Sequence, residues 1–155
     1  MITCLPPPPA ASYRLVDDLR EPMGLPGVHR IATDDLEVEQ ALLAKLGARG
    51  WGRIHHFRNH YHQPWGEHGA APISPRALST LGRYILSAAF PEGRVPSVFL
   101  TDSGSLELCW EDAAGDAVQV EFKPDAIEYY IAARNEEGTV RPDDVAWLAQ
   151  KLLAG

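Results

Sequence analysis

Cysteine is scarce in this sequence: Cys4 and Cys109 are the only two among 155 residues. Two cysteines cannot supply the disulfide framework on which small secreted domains depend. Cys4 falls in a proline-rich stretch and Cys109 in a strand pattern, so no bridge between them is expected. Long apolar runs are missing too. None approaches the ~20 residues that cross a bilayer, so no membrane association is expected. The start, Met1-Ile2-Thr3-Cys4-Leu5 followed by four prolines, lacks the basic and apolar segments of a secretory signal. The expected location is cytoplasmic.

Catalytic signatures are absent as well. There is no G-x-G-x-x-G, no P-loop and no G-x-S-x-G elbow, which removes the motif-based case for dinucleotide binding, nucleotide hydrolysis or esterase chemistry. Ser103, flanked as Asp102-Ser103-Gly104-Ser105, reads as a turn residue rather than a nucleophile. Basic residues thin out toward the C-terminus. Residues 1–95 hold ten Lys/Arg against nine Asp/Glu, whereas residues 96–155 hold four against twelve. The formal net charge of -7 therefore resides in the C-terminal part. Such a surface repels phosphate backbones and suits a basic protein partner, so direct nucleic-acid binding is disfavoured.

What the chain does contain is clear patterning. Six of its thirteen prolines lie in the first 26 residues, and residues 1–32 read as an irregular arm. A first helix is expected from Asp35 to Leu46, capped by Asp34 with Glu37 three residues on, and ended by Gly47 and Gly50. Val38, Leu42 and Leu46 form its apolar stripe. A second helix starts at Ser74-Pro75, carries Leu78, Leu81, Ile85 and Ala88 on one face, and stops before Pro91. The period then drops to 2. Val98 and Leu100, then Leu106, Leu108 and Trp110, then Val118, Val120 and Phe122, then Ile127, Tyr129 and Ile131 mark four strands joined by short turns. Asp143 and Asp144 open a last helix striped by Val145, Leu148 and Leu152. The fold class that buries every stripe is α+β: a four-stranded antiparallel meander whose apolar face is covered by two or three helices. Residues 33–155 form this single domain.

Two stretches are candidates for function. His55, His56, His60, His62 and His68 hold five of the six histidines within fourteen residues. Imidazole is the commonest metal ligand, and His56, His60 and His62 are the candidate zinc set. No His-Glu-x-x-His or cysteine pair supports it, Arg49, Arg53 and Arg58 oppose a dication, and the expectation is no cofactor. The same stretch combines arginine with aromatic residues, the composition of protein interfaces. Its candidate partner-binding residues are Trp51, Arg53, Phe57, Arg58, Tyr61 and Trp65. The alternative for Trp51 and Phe57 is a place in the core.

The second stretch is the polar face of the sheet. Short hairpin loops at 112–116 and 123–126 set Glu107 opposite Glu121, and Glu121 opposite Glu128. Tyr130, Glu111 and Cys109 fall on the same face. Like charges directly opposite one another destabilise a sheet, so such a row asks for a counter-charge. A basic partner can supply it. Close carboxylates also serve acid–base chemistry or hold Mg²⁺, but an open sheet face offers no cleft to separate their pKa values.

Trp65-Gly66-Glu67-His68-Gly69-Ala70-Ala71-Pro72-Ile73-Ser74, followed by Gly104-Ser105-Leu106-Glu107-Leu108-Cys109-Trp110, resembles a loose family of small uncharacterised bacterial proteins. Those carry a W-D-G-x-G-A-x-P-I-S-like helix start and a G-x-L-x-L-x-W hairpin. The resemblance spans roughly residues 64–131; Gly66 stands where the family has Asp, and His68 where it has an aromatic residue. It implies a mobile-element or toxin–antitoxin-like context and partner binding rather than turnover. Residues and resemblance together point to a small non-enzymatic bacterial or phage protein that binds a protein partner and inhibits it, as an antitoxin does. The alternative is a metal-dependent enzyme or metal-binding protein using the His55–His68 cluster.

Overall fold

Local spacing dictates the elements. The computed structural model describes residues 33–153 and places them in the order α1 (Thr33–His60), α2 (Pro75–Ser87), β1 (Ser97–Leu100), β2 (Leu106–Glu111), β3 (Ala117–Phe122), β4 (Ile127–Ile131), β5 (Glu136–Val140) and α3 (Val145–Leu153). Short 3₁₀ turns at Ala132–Arg134 and Pro142–Asp144 flank β5. The proline-rich arm 1–32, Cys4 included, lies outside the described residues. Cys109, for which no bridge was expected, is disulfide-bonded.

The helix started by Ser74-Pro75 forms as its sequence demands. Ser74 is extended, its hydroxyl accepts from the Ala77 N–H at 3.2 Å, and Pro75 takes the first helical position. Such a cap contributes about 1 kcal/mol. Ala77, Leu81, Tyr84 and Ile85 are buried along the inner face. Lys45 reaches across from α1 and donates to the Ile85 and Leu86 carbonyls at 2.6 and 3.2 Å, so two acceptors at the end of α2 are satisfied by a cation.

α1 departs from expectation. It begins at Thr33, so Asp34 falls inside it, and helix resumes directly after Gly47 instead of ending there. Gly47 alone is non-helical, with φ 67° and ψ 175°. That one residue reverses the chain: the Glu39 carboxylate lies 2.9 Å from His55 Nε2 and 3.0 Å from Arg58 Nη1. In a straight helix, residues so far apart in sequence would be separated by about 24–28 Å. α1 is therefore a helical hairpin, and residues 48–60, which lie beyond the expected end of the first helix, are its second arm. Ile54 and Phe57 of that arm are buried.

The sheet is an antiparallel meander in the order β1-β2-β3-β4-β5. It has five strands rather than four. β5 escapes a hydrophobicity reading because two of its three inward positions, Glu136 and Gly138, offer no apolar side chain, leaving Val140 alone. On the inner face Leu106, Leu108, Val120, Phe122 and Ile127 are fully buried, and Trp110, Val118 and Ile131 nearly so. α2 covers this face, touching β2, β3 and α3, while α1 packs on α2 and β1. Tyr84 meets Phe122 at 5.2 Å between ring centroids, and Phe90 meets Trp110 edge-on at 5.0 Å. Each fully buried Leu or Ile contributes about 1.5–3 kcal/mol of transfer free energy. Among the described residues, no helix is long and apolar enough to cross a membrane.

The two sequence motifs meet in space. Ala71 N–H donates to the Asp102 carbonyl, and Ser74 N–H to the Gly104 carbonyl, each at 2.8 Å. The lead-in to α2 is thereby fastened to the β1–β2 turn, which sets α2 on the sheet.

Candidate binding face

With one face of each strand committed to the core, the alternate residues are forced outward. The register places Phe99 against Glu107, Glu107 against Glu121, Glu121 against Glu128 and Glu128 against Thr139. The glutamate row expected from loop lengths is therefore present, and it runs across three adjacent strands. One step along, Cys109, Gln119, Tyr130 and Glu137 form a parallel row. Cys109 is buried. Glu107, Gln119, Glu121, Glu128, Tyr130 and Glu137 line a shallow groove of about 760 Å³ on this face.

The groove is unevenly neutralised. Lys123 binds Glu128 at 2.6 Å and sits 3.9 Å from Glu121. Glu107 and Glu137 have no ion-pair partner among the described residues. Burial, aided by the Glu121 charge opposite, pushes the Glu107 carboxyl above the usual range. The outer face thus holds one carboxylate that gains most from an incoming cation. Glu111 is drawn off to the sheet margin by an ion pair with Arg94.

The aromatic–arginine residues form the second arm of α1 and the turn after it. Trp51, His55 and Arg58, spaced i, i+4, i+7, all converge on Glu39. The Trp51 indole donates at 2.7 Å, and the His55 ring lies 4.2 Å from that of Trp51. Phe57 is in the core, and Trp51 and Tyr61 pack against it. Arg53 stands over Phe57 at 5.9 Å and over Phe99 at 5.2 Å. Tyr61 meets Trp65 edge-on at 5.0 Å, and the Trp65 indole donates to the Ala71 carbonyl at 2.9 Å. Most of this set is thus engaged within the molecule. Arg53 is the residue that connects it to the outer face, because Phe99 begins the glutamate row.

The candidate metal ligands are only partly brought together. The His56 and His60 rings lie 4.6 Å apart, one helical turn from each other. His62 follows in the turn, and among the described residues no three His, Cys, Asp or Glu side chains are placed to hold a metal ion.

Sequence reasoning missed Lys123 and Glu137 as members of the face. Glu137 was lost with β5. Lys123 follows Phe122 at the hairpin corner, and a signal for it was available: it is the one basic residue between the two strands that carry Glu121 and Glu128. No protein-family model matches the chain, and no curated protein and no solved structure matches it.

Proposed function

We propose that this chain is a non-enzymatic interaction protein that binds a basic segment of a protein partner on the outer face of its sheet. The observation that carries this reading is the row Glu107–Glu121–Glu128, in register on an open groove with Lys123 as its only ion-paired cation among the described residues. Like charges in direct opposition cost a sheet a few tenths of a kcal/mol per pair. A partner that brings arginine or lysine onto the row removes that cost and gains charge-assisted hydrogen bonds. Arg53 and Phe99 at the β1 margin extend the contact with the arginine–aromatic pairing typical of binding surfaces.

The resemblance to small bacterial proteins of toxin–antitoxin-like context supports a more specific form. The partner is then one whose basic, nucleic-acid-facing surface is occupied, and so inhibited, by this acidic face. Titration with an arginine-rich peptide, followed by amide chemical shifts, tests the reading. Shifts concentrated on β2–β4, weakened by raising salt from about 0.02 to 0.3 M and lost in Glu107→Lys/Glu121→Lys, are expected. Binding unchanged in that folded double variant overturns it.

A further inference from the structure

We propose that α1 is a one-residue hinge through which two copies of this chain exchange their first helical arms, giving a domain-swapped dimer. The inference is independent of the binding face. It starts from Gly47, whose φ of 67° and ψ of 175° separate helix on both sides. That combination belongs to a region of backbone space open essentially to glycine alone. Nothing lies within 4 Å of where a Cβ on Gly47 would sit, so no neighbour blocks the rotation of this residue to helical angles. Moving this single residue to helical angles joins both arms into one continuous helix of 28 residues, about 42 Å long. Hairpin connections this short favour exchange between copies over closure within one.

The first arm is a self-contained unit for such exchange. Among its contacts are those with α2, through Val38 on Gly82 and Lys45 on the Ile85 and Leu86 carbonyls, and those with the second arm, through Glu39 and through Leu46 on Gly50. The second arm stays with the body: Gly50 faces Val98, Arg53 stands over Phe99, and the Tyr61 carbonyl accepts from Ile73 N–H. When the hinge straightens, the first arm leaves a seat on α2 shaped for it. The occupant that fits that seat is the same arm of a second copy. The contacts of the first arm with α2 and the second arm are then remade between subunits, Glu39 of one copy meeting Trp51, His55 and Arg58 of the other, while the Gly47 turn is given up. The exchange is symmetric and closes on itself.

Two experiments on the full chain test this. Gly47→Ala penalises the turn and favours the straight helix, so light scattering after size exclusion is expected to show the dimer fraction rising by at least about tenfold. A folded, monomeric Gly47→Ala overturns the proposal. The second experiment uses charge reversal at the contact that changes owner. Glu39→Lys and Arg58→Glu each place like charges together in a closed monomer, but a swapped pair of one with the other restores attraction at both junctions. Co-refolding the two variants is expected to yield heterodimers in preference to homodimers. If the mixture refolds as monomers or as a random assortment, the proposal fails, whether or not Gly47→Ala folds.

Discussion

Tyr129 on β4 lies directly opposite Gly138 on β5, and a Cβ on Gly138 would come within 2.5 Å of the tyrosine hydroxyl and 2.6 Å of its ring carbon Cζ. The ring thus covers the glycine, a cross-strand arrangement that compensates a strand for the side chain it lacks. The ring is held from its other contacts by Lys151, whose ammonium stands 5.7 Å from the centroid, and by Glu136, which accepts from the hydroxyl at 3.4 Å.

Gly138→Ala is therefore expected to destabilise the domain by about 1–3 kcal/mol, the usual cost of overpacking. Urea denaturation measures it. The same substitution made in a Tyr129→Leu background is expected to cost far less, because the clash goes while alanine remains the better strand former. Equal costs in the two backgrounds would show that the ring is not what excludes the side chain.

The acid response of α1 follows from Glu39. Burial pulls its carboxyl upward, but hydrogen bonds from His55 and Trp51 together with the Arg58 charge outweigh it and hold the group below the usual range. The folded state therefore favours the carboxylate more than the unfolded chain does. Its contribution is complete above the unfolded-state value of about 4.3 and is lost as pH falls through the lower folded value. Glu39→Gln is expected to cost about 1 kcal/mol at neutral pH, given the partial exposure of the ion pair. The gap between variant and parent should close on acidification below about pH 4. A gap that persists unchanged at low pH contradicts this assignment.

Much of this architecture was legible because its signals are local. Ser74-Pro75 carries its own cap, and the alternation from Val98 to Ile131 needs only neighbours two residues away. Short turns then fix the register, which is why loop length alone aligns Glu107, Glu121 and Glu128. What escaped is what depends on distant partners. β5 turns inward a glutamate that is neutralised by Lys151 from α3 as well as by the neighbouring Arg134, and a glycine that is filled by Tyr129 from β4. The second arm of α1 hides behind Gly50 and Gly52. Its stripe, Gly50, Ile54 and Phe57, has helical spacing, but its first position is a glycine that faces Leu46 and Val98. That Trp51, His55 and Arg58 share one acceptor escapes any local reading, because Glu39 lies beyond the reversal at Gly47.

Lys45 ties α1 to the end of α2 through two carbonyls. Lys45→Met keeps the aliphatic stem but removes the donors and the positive charge at the helix C-terminus. A loss of about 0.5–1.5 kcal/mol is expected. The loss should be local as well as global. The Ala88 amide, which closes α2 by donating to the Tyr84 carbonyl at 2.8 Å, should exchange with solvent faster than amides at the Ser74 end. Uniform acceleration along α2 would mean that Lys45 acts on the whole fold rather than on this cap.

Glu107 links stability to the proposed role, and its pH dependence has the opposite sign to that of Glu39. Burial first, and the Glu121 carboxylate second, raise its pKa in the folded state. The folded chain therefore binds more protons than the unfolded one across this interval, and stability falls as pH rises from the unfolded-state value of about 4.3 through the raised folded value. Glu107→Gln removes that loss. At neutral pH the variant is expected to be more stable than the parent by a few tenths of a kcal/mol, the scale of one opposed like-charge pair. Below about pH 4 the two should coincide. A binding surface built on such a residue keeps a charge that its own fold would be more stable without. The same variant should accordingly bind an arginine-rich peptide more weakly while unfolding at higher urea. Stabilisation without weaker binding would detach Glu107 from the contact and leave Glu121 and Glu128 to carry it.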